Sequence, residues 1–259
     1  LEIEFGISLF YRKGNQLILT GEGETLYEKA NYILQYCTEL QSDCFGLSRN
    51  KPPIRIGIPP MLSTVFFPEL LTAFQKEYPD VPVMLEEYAS VRACNLVQND
   101  SLDLALVNME QYNIDKFHHA LLANDQVVFC VSKEHPLVRK EEATIQDMAQ
   151  LPLIFFNGDS VQNQLLKIRF ELEGFTPHVL MHNSQIYTTL QFLKNSNCGC
   201  FLYSSMIDKF PDIVQLPLKP PLFIKIGMIW KKGKYISNDM QTFLNFTRKY
   251  YKDHPLIRE

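Results

Sequence analysis

The hydrophobic pattern is most regular between residues 21 and 50. Apolar or small residues recur there at alternating spacings of four and three, which is typical of a coiled-coil seam. A helix over 21–48 would be roughly 40 Å long at about 1.5 Å per residue, and its own backbone would not stabilise it. The pattern therefore predicts a helix that needs a partner helix, and an amphipathic helix lying on its own domain is the alternative. The seam positions are Leu26, Ala30, Ile33, Cys37, Leu40, Cys44 and Leu47.

A short segment with a turn at its centre precedes this helix. Its first helical turn ends at Gly6, and two extended runs follow on either side of Gly14-Asn15, a dipeptide that favours turns. Thr20 stands directly before the long helix, where its hydroxyl is suited to cap the helix start. Residues 1–20 are therefore predicted to form a helical turn and a hairpin that lead into the helix.

The segment Asn50-Lys51-Pro52-Pro53 divides the chain. Proline lacks a backbone N–H and restricts the residue before it, so the long helix is expected to end here. A new alternation of strands and helices begins directly afterwards. A domain boundary is therefore predicted between residues 50 and 53.

Strand-like runs alternate with helical patterns from residue 53 onward, in two sets. The first set has strands at 54–58, 81–87 and 102–107 and helices at 63–78 and 92–99. The second has strands at 127–131, 153–156, 179–181 and 198–203 and helices at 161–172 and 188–193. A strand at 222–230 and a helix at 239–251 return to the first set. This order predicts an α/β fold of two Rossmann-like lobes, with parallel sheets covered by helices and a ligand cleft between the lobes.

Composition places further bounds on the chain. Its 259 residues are 46% hydrophobic and 21% charged, and the net charge is −4. No apolar run is long enough to cross a bilayer and no signal peptide is visible, so a cytoplasmic protein without membrane contact is expected. The acidic balance confines any nucleic-acid footprint to a local patch. All six cysteines are interpreted as buried thiols, and Cys198-Gly199-Cys200 lacks a nearby histidine, so neither a metal nor a cofactor is expected.

Two patterns near the start carry a family resemblance. The first, LE-x3-G-x2-LF-x-R, begins at Leu1 and ends at Arg12, and the second, LT-x2-G-x2-L, begins at Leu19 and ends at Leu26. Their order resembles the LysR-type transcriptional regulators. The resemblance implies that residues 1–20 are the C-terminal remnant of a winged helix-turn-helix whose other helices lie upstream. It also implies a linker and dimerisation helix at 21–50 and an effector-binding domain at 53–259, similar to type 2 periplasmic binding proteins.

The resemblance assigns DNA contacts to the hairpin. Arg12 and Lys13 would meet phosphate groups and position the protein without identifying bases. Thr20 would contact phosphate beside the helix start. A solvated hairpin and a simple helix cap remain the alternatives for these residues.

The effector site is expected in loops that follow strands, where helix starts present free amide donors. Lobe I is placed at about 53–125 and 222–259, and lobe II at about 126–221. Relatives have a small hydroxyl residue where this chain has Met61, and some have arginine where it has Asn108, so a small or weakly charged ligand is expected. Each candidate is also explained as a cap or turn residue. The candidates are Met61, Ser63, Thr64, Ser90, Asn108, Asn157, Asp159 and Tyr203.

Function follows from combining these features. The hypothesis is a LysR-type regulator, a homodimer or homotetramer, whose DNA contacts change when a small-molecule effector binds between the lobes. A solute-binding module and a purely structural oligomer are the alternatives. No phosphate-binding glycine loop or nucleophile elbow is present, and Glu86 and Glu87 point to opposite faces of a strand, so no enzyme activity is expected.

Overall fold

The computed structural model describes residues 1–14, 16–46, 51–110, 113–157 and 160–255. The chain forms two compact units, one with residues 1–52 and 233–238 and the other with residues 53–232 and 239–259. Over the described part of the chain, no helix is long and apolar enough to span a membrane.

The first unit begins with a one-turn helix and a hairpin. Helix α1 spans Glu2–Phe5 and ends at Gly6, whose φ of 65° is the left-handed conformation that glycine adopts without strain. Strands β1 (Phe10–Lys13) and β2 (Gln16–Leu19) then pair in antiparallel register. The predicted helical turn and hairpin are therefore present.

Helix α2 spans Gly21–Gly46, and Thr20 caps its start. The Thr20 hydroxyl accepts a hydrogen bond from Gly23 N at 2.9 Å and donates one to Ser8 O at 2.5 Å. A Cβ atom at Gly23 would lie 2.1 Å from Leu9 O, so only glycine allows the helix to approach the backbone here. This packing gives a physical reason for the threonine and glycine of the second sequence pattern.

The second unit is built on one eight-stranded mixed sheet with the order β4-β3-β5-β10-β6-β9-β7-β8. Parallel pairing joins β3 to β4 and β5, and β7 to β8 and β9. The long strands β6 and β10 run antiparallel to each other through the middle of the sheet. The strand bounds are β3 Ile54–Ile58, β4 Val83–Glu87, β5 Leu104–Asn108, β6 Phe117–Ser132, β7 Leu153–Phe155, β8 Val179–His182, β9 Gly199–Tyr203 and β10 Ile213–Lys231.

Helices cover this sheet. The α-helices are α3 Pro60–Val65, α4 Phe67–Glu77, α5 Ser90–Gln98, α6 Ile145–Ala149, α7 Val161–Leu172, α8 Ile186–Asn195, α9 Ser204–Ile207 and α10 Asn238–Asp253. Short 3-10 helices lie at Ile114–Lys116 and Pro136–Arg139. Aromatic packing joins α4 to α10, where the Phe74 and Phe243 rings meet edge to face at 4.9 Å.

Three differences from the sequence prediction concern strand pairing, the first helix and the last strand of the sheet domain. The sheet is mixed, because β6 and β10 pair antiparallel with their neighbours, whereas parallel sheets were expected. The helix predicted at 63–78 is two helices with a break at Phe66, and Pro68 lies in the first turn of the second helix. Strand β10 begins at Ile213, whereas the sequence predicts a strand only from residue 222. Prolines interrupt the strand pattern of its first half, and the sheet tolerates them because its register shifts between Pro217 and Leu222.

Candidate ligand-binding cleft

One cleft of the second unit gathers loops that follow strands from both halves of the sheet. Its volume is about 230 Å³, below the roughly 300–1,000 Å³ typical of sites for drug-sized ligands. Strands β3, β4, β5 and β9 end at it, as expected for ligand sites at the carboxyl ends of α/β strands. The lining residues are Pro59, Pro60, Met61, Glu87, Tyr88, Ala89, Ser90, Arg92, Asn108, Phe156, Asn157, Ser160, Val161, Gln162, Ser184 and Tyr203.

Several predicted effector residues meet in this cleft. They are Met61, Ser90, Asn108, Asn157 and Tyr203. Asp159 lies outside the described residues.

Two predicted hydroxyl residues do not line the cleft. The Ser63 hydroxyl has two acceptors for its single proton, Pro60 O at 2.9 Å and the Glu87 carboxylate, and the Thr64 hydroxyl donates to Pro60 O at 3.0 Å. Ser63 therefore acts next to the cleft, by holding the Glu87 side chain that does line it.

Asn108 ends β5 and is almost fully buried, with 2% of its surface exposed. Its backbone N donates to the Ser90 hydroxyl at 3.1 Å, and its Oδ1 accepts from Glu110 N at 3.0 Å. Its Nδ2 has no partner in hydrogen-bonding geometry among the described residues. The bond from Glu110 requires an oxygen at Oδ1, so the free atom is a nitrogen donor.

Gln162 projects from the first turn of α7 and is 1% exposed. Its Nε2 donates to Phe201 O at 2.9 Å, which fixes the orientation of the amide, and its Oε1 finds no donor in the described parts of the chain. The next residue, Asn163, bonds instead to the backbone of Phe156 and Asn157 and so holds the loop after β7. Within the part of the chain that the structure describes, the cleft lining thus contains a buried acceptor on α7 and a buried donor on β5 that have no partner in hydrogen-bonding geometry.

Tyr203 contributes an aromatic ring to the lining of the cleft, and its phenol is neutral. Burial raises the pKa of its phenol, and the negative charge of nearby Asp125 raises it further, while the polar Asn108 side chain beside the hydroxyl opposes the rise. Asp125 is itself fully buried in β6, where burial raises its pKa and hydrogen bonds from Ser205 and Gln126 oppose that rise. The Ser205 hydroxyl donates to this carboxylate at 2.6 Å, and Gln126 N donates at 2.7 Å.

Two opposite charges lie at the exposed edge of the cleft. Glu87 is the last residue of β4, and Arg92 lies in the first turn of α5 with its guanidinium 5.0 Å from the centre of the Tyr88 ring. Glu86, by contrast, accepts a hydrogen bond from the Tyr88 hydroxyl at 2.5 Å. Neither Glu87 nor Arg92 was predicted from the sequence to belong to the site.

The predicted DNA-contacting residues lie in the first unit. Arg12 and Lys13 are exposed on β1, while the Thr20 hydroxyl is engaged in capping α2. The cap predicted for Thr20 is therefore confirmed.

The predicted seam of α2 is largely exposed in the single chain. Ile33 and Leu40 are 65% and 62% exposed, and Leu26 is half-buried. Ala30 is exposed as well. Leu47 lies outside the described residues. This face of α2 carries more exposed apolar surface than a solvated helix needs.

The cysteines divide into two groups. Cys94, Cys130, Cys198 and Cys200 are buried, and burial raises the pKa of the Cys94 thiol to about 12. The expectation of buried thiols is wrong for Cys37 and Cys44, which are exposed because they lie on the seam of α2. Within the described ranges, no three His, Cys, Asp or Glu side chains are grouped to hold a metal ion.

Known proteins resemble this chain over most of its length. The family described as the LysR substrate binding domain matches residues 48–252. The uncharacterized HTH-type transcriptional regulator YwbI of Bacillus subtilis (strain 168) is 31% identical over 258 residues, which cover 98% of this chain and 85% of that protein. The transcriptional dual regulator GltC of the same organism is 23% identical, over 97% of this chain and 85% of that protein.

Solved structures share the fold. The regulatory domain of CcmR from Synechocystis, in complex with 2-PG, has a TM-score of 0.70 and 18% identity, and the match covers 78% of this chain and 98% of that one. HinK, a LysR family transcriptional regulator from Pseudomonas aeruginosa, has a TM-score of 0.65 and 18% identity over 96% of this chain and 85% of that one. The fold of these regulators and the extent of the sequence matches agree, and the chain belongs to the family of LysR-type transcriptional regulators.

Proposed function

We propose that the cleft binds a small-molecule effector and that its occupancy controls how an oligomer of this chain binds DNA. The observation that carries the proposal is that two residues of the cleft lining each keep a buried amide atom, Asn108 Nδ2 and Gln162 Oε1, that no group of the described residues meets in hydrogen-bonding geometry. A buried polar atom without a partner costs about 1–3 kcal/mol, so a ligand that satisfies both atoms recovers stability. Effector-bound relatives support the proposal, since the effector-binding domain of QuiR was solved in complex with shikimate.

Binding at this cleft would affect both halves of the second unit. Asn108 ends a strand on one side of the paired β6 and β10 strands, and Gln162 comes from α7, which follows β7 on the other side. A ligand that binds both residues stabilises the arrangement of the two halves in which Asn108 and Gln162 can both contact it. Such a preference is what a ligand needs in order to shift a conformational equilibrium.

The first unit would pair two copies of the chain and contact DNA. Leu26, Ile33 and Leu40 supply apolar area for pairing with a second copy of α2. Arg12 and Lys13 on the hairpin would contact DNA phosphates, with Thr20 beside them at the helix start. We place the domain limits at 1–20, 21–50 and 53–259, with a dimer or tetramer as the working assembly.

Thermal unfolding in the presence of single metabolites tests the proposal. A compound that binds only the native state raises the melting temperature in a dose-dependent way, by mass action. The variant Asn157→Trp, at an exposed residue of the cleft, should abolish that rise by filling the site. Asn195→Trp, at an exposed residue at the end of α8, is the matched control and should retain it. An equal rise in Asn157→Trp would show that the compound binds elsewhere and would contradict the proposal.

A further inference from the structure

Building on the proposed effector site, we infer that the ligand is a small carboxylate that carries a hydrogen-bond donor, a hydroxyl or an ammonium, next to its acid group. The polar groups that line the cleft, and the place of each, favour this chemical class.

Donors for an acid group come from both walls. Helices α5 and α7 begin at the cleft, and the residues before them, Ala89 and Ser160, make no side-chain cap hydrogen bond. Their first turns therefore present backbone N–H groups and the positive end of the helix dipole. Asn108 Nδ2 adds an independent signal, since it is a buried donor that lies beside Tyr203 but meets no group of the described ranges in good hydrogen-bonding geometry. Arg92 supplies a full positive charge at the edge.

Acceptors in the same cleft require the ligand to donate. Gln162 Oε1 is buried and receives no hydrogen bond from the described residues, and its identity as an oxygen is fixed by the bond from Nε2 to Phe201 O. The Glu87 carboxylate lies on the lining as well and accepts a hydrogen bond from Ser63. A plain carboxylate would leave Gln162 unsatisfied, and a plain polyol would leave Arg92 and both helix starts without an anion.

Size and surroundings limit the rest of the ligand. A volume of about 230 Å³ favours a compact molecule. Met61, Phe156 and Val161 add apolar surface to the lining. A short hydrocarbon part attached to the polar end would therefore bury area against these side chains.

Four five-carbon compounds with the same skeleton test the inference by NMR titration of the whole chain. Pentanoate has only the acid, 1,2-pentanediol has only hydroxyls, 2-hydroxypentanoate has an acid and a hydroxyl, and norvaline has an acid and an ammonium. At least one of the last two should bind ten times more tightly than both of the first two. A hydroxyl ligand is indicated if 2-hydroxypentanoate is preferred, and an amino acid if norvaline is preferred.

Variants assign the effect to the named groups. Gln162→Met should reduce the preference over pentanoate to less than threefold. Arg92→Gln should weaken the acids at least fivefold, whereas Lys167→Gln, with the same charge change on an exposed part of α7, should leave them unchanged. If Gln162→Met does not fold, the comparison of the four compounds on the unmodified chain decides alone.

The inference is overturned if pentanoate or 1,2-pentanediol binds as well as the two bifunctional compounds, or if none of the four binds. Neither result removes the proposed function, which depends on the metabolite screen with Asn157→Trp. A metabolite of another class that binds in the cleft would leave the effector site in place and refute only its assigned chemistry.

Discussion

Substitution of Gly199 by alanine should destabilise the second unit through a clash with one aromatic ring. A Cβ atom at Gly199 would lie 2.1 Å from Cζ and 2.4 Å from Cε2 of Phe129, far inside the roughly 3.5–4 Å of normal carbon contact. Phe129 is fully buried and packs on Phe201 with ring centres 5.4 Å apart, so it has little room to move.

The expected cost is about 2 kcal/mol, as for an overpacked core. For a domain of this size that corresponds to a fall in melting temperature of roughly 4–8 °C. Circular dichroism during thermal and urea unfolding measures both quantities. Gly21→Ala is the control, because no atom lies within 4 Å of its added Cβ.

A double-mutant cycle then tests the cause. Phe129→Leu removes the clashing ring atoms, so Gly199→Ala should cost at least about 1 kcal/mol less in the Phe129→Leu background than in the natural chain. A Gly199→Ala variant as stable as the natural chain, or strictly additive costs in the cycle, would refute the packing argument.

Three further perturbations test other parts of the structure. Thr20→Ala should destabilise the first unit by about 1 kcal/mol through loss of the cap on α2, whereas Thr20→Ser should retain most of the stability; equal unfolding curves for the two variants would contradict this. Burial raises the pKa of Asp125 above its unfolded value of 3.8. The favourable contribution of Asp125 to the free energy of unfolding is therefore complete below pH 3.8 and is lost as pH rises through the folded pKa. The free energy of unfolding of the natural chain should therefore fall relative to Asp125→Asn as pH rises from about 3.5 toward neutrality, and a constant difference in urea titrations would exclude the effect. Replacement of Ile33 and Leu40 by lysine should lower the sedimentation mass to that of a monomer, while Glu28→Lys should not; a natural chain that is monomeric at all concentrations would contradict the seam.

Local periodicity and end signals were sufficient to predict much of the fold. The helix at Val161–Leu172 lies where its apolar spacing predicts it, and the cap at Thr20 follows from its position before α2. These features depend on neighbouring residues alone, so they are visible in a single sequence.

Strand pairing was harder to predict because it depends on distant contacts. The first half of β10 contains Pro217, and Pro220 and Pro221 follow at the register shift, so its sequence lacks the pattern of a central strand. Nothing local distinguishes a strand that will pair antiparallel with β6 from one that extends a parallel set. The mixed sheet therefore became apparent only with the complete fold.

The cleft was predicted only in part, because its composition also depends on contacts between residues that are distant in the sequence. Asn108 and Tyr203 were predicted as site residues because each is the last residue of a buried strand. Glu87 and Arg92 were not predicted, because in the sequence they resemble ordinary exposed charged residues. Gln162 did carry a usable signal, since it lies four residues before Leu166 and eight before Phe170, on the buried stripe of α7. An amide in that stripe indicates either a structural hydrogen bond or a ligand contact, and Gln162 Oε1, which no described residue bonds, is suited to the latter.

The most direct test of the central claim is to measure transcript levels in the source cells when the natural gene is replaced by variants. The account predicts that the natural protein and Asn195→Trp control the same transcripts, and that Asn157→Trp, with its cleft filled, no longer changes them in response to the effector. Identical responses from Asn157→Trp and the natural protein would contradict regulation through this cleft.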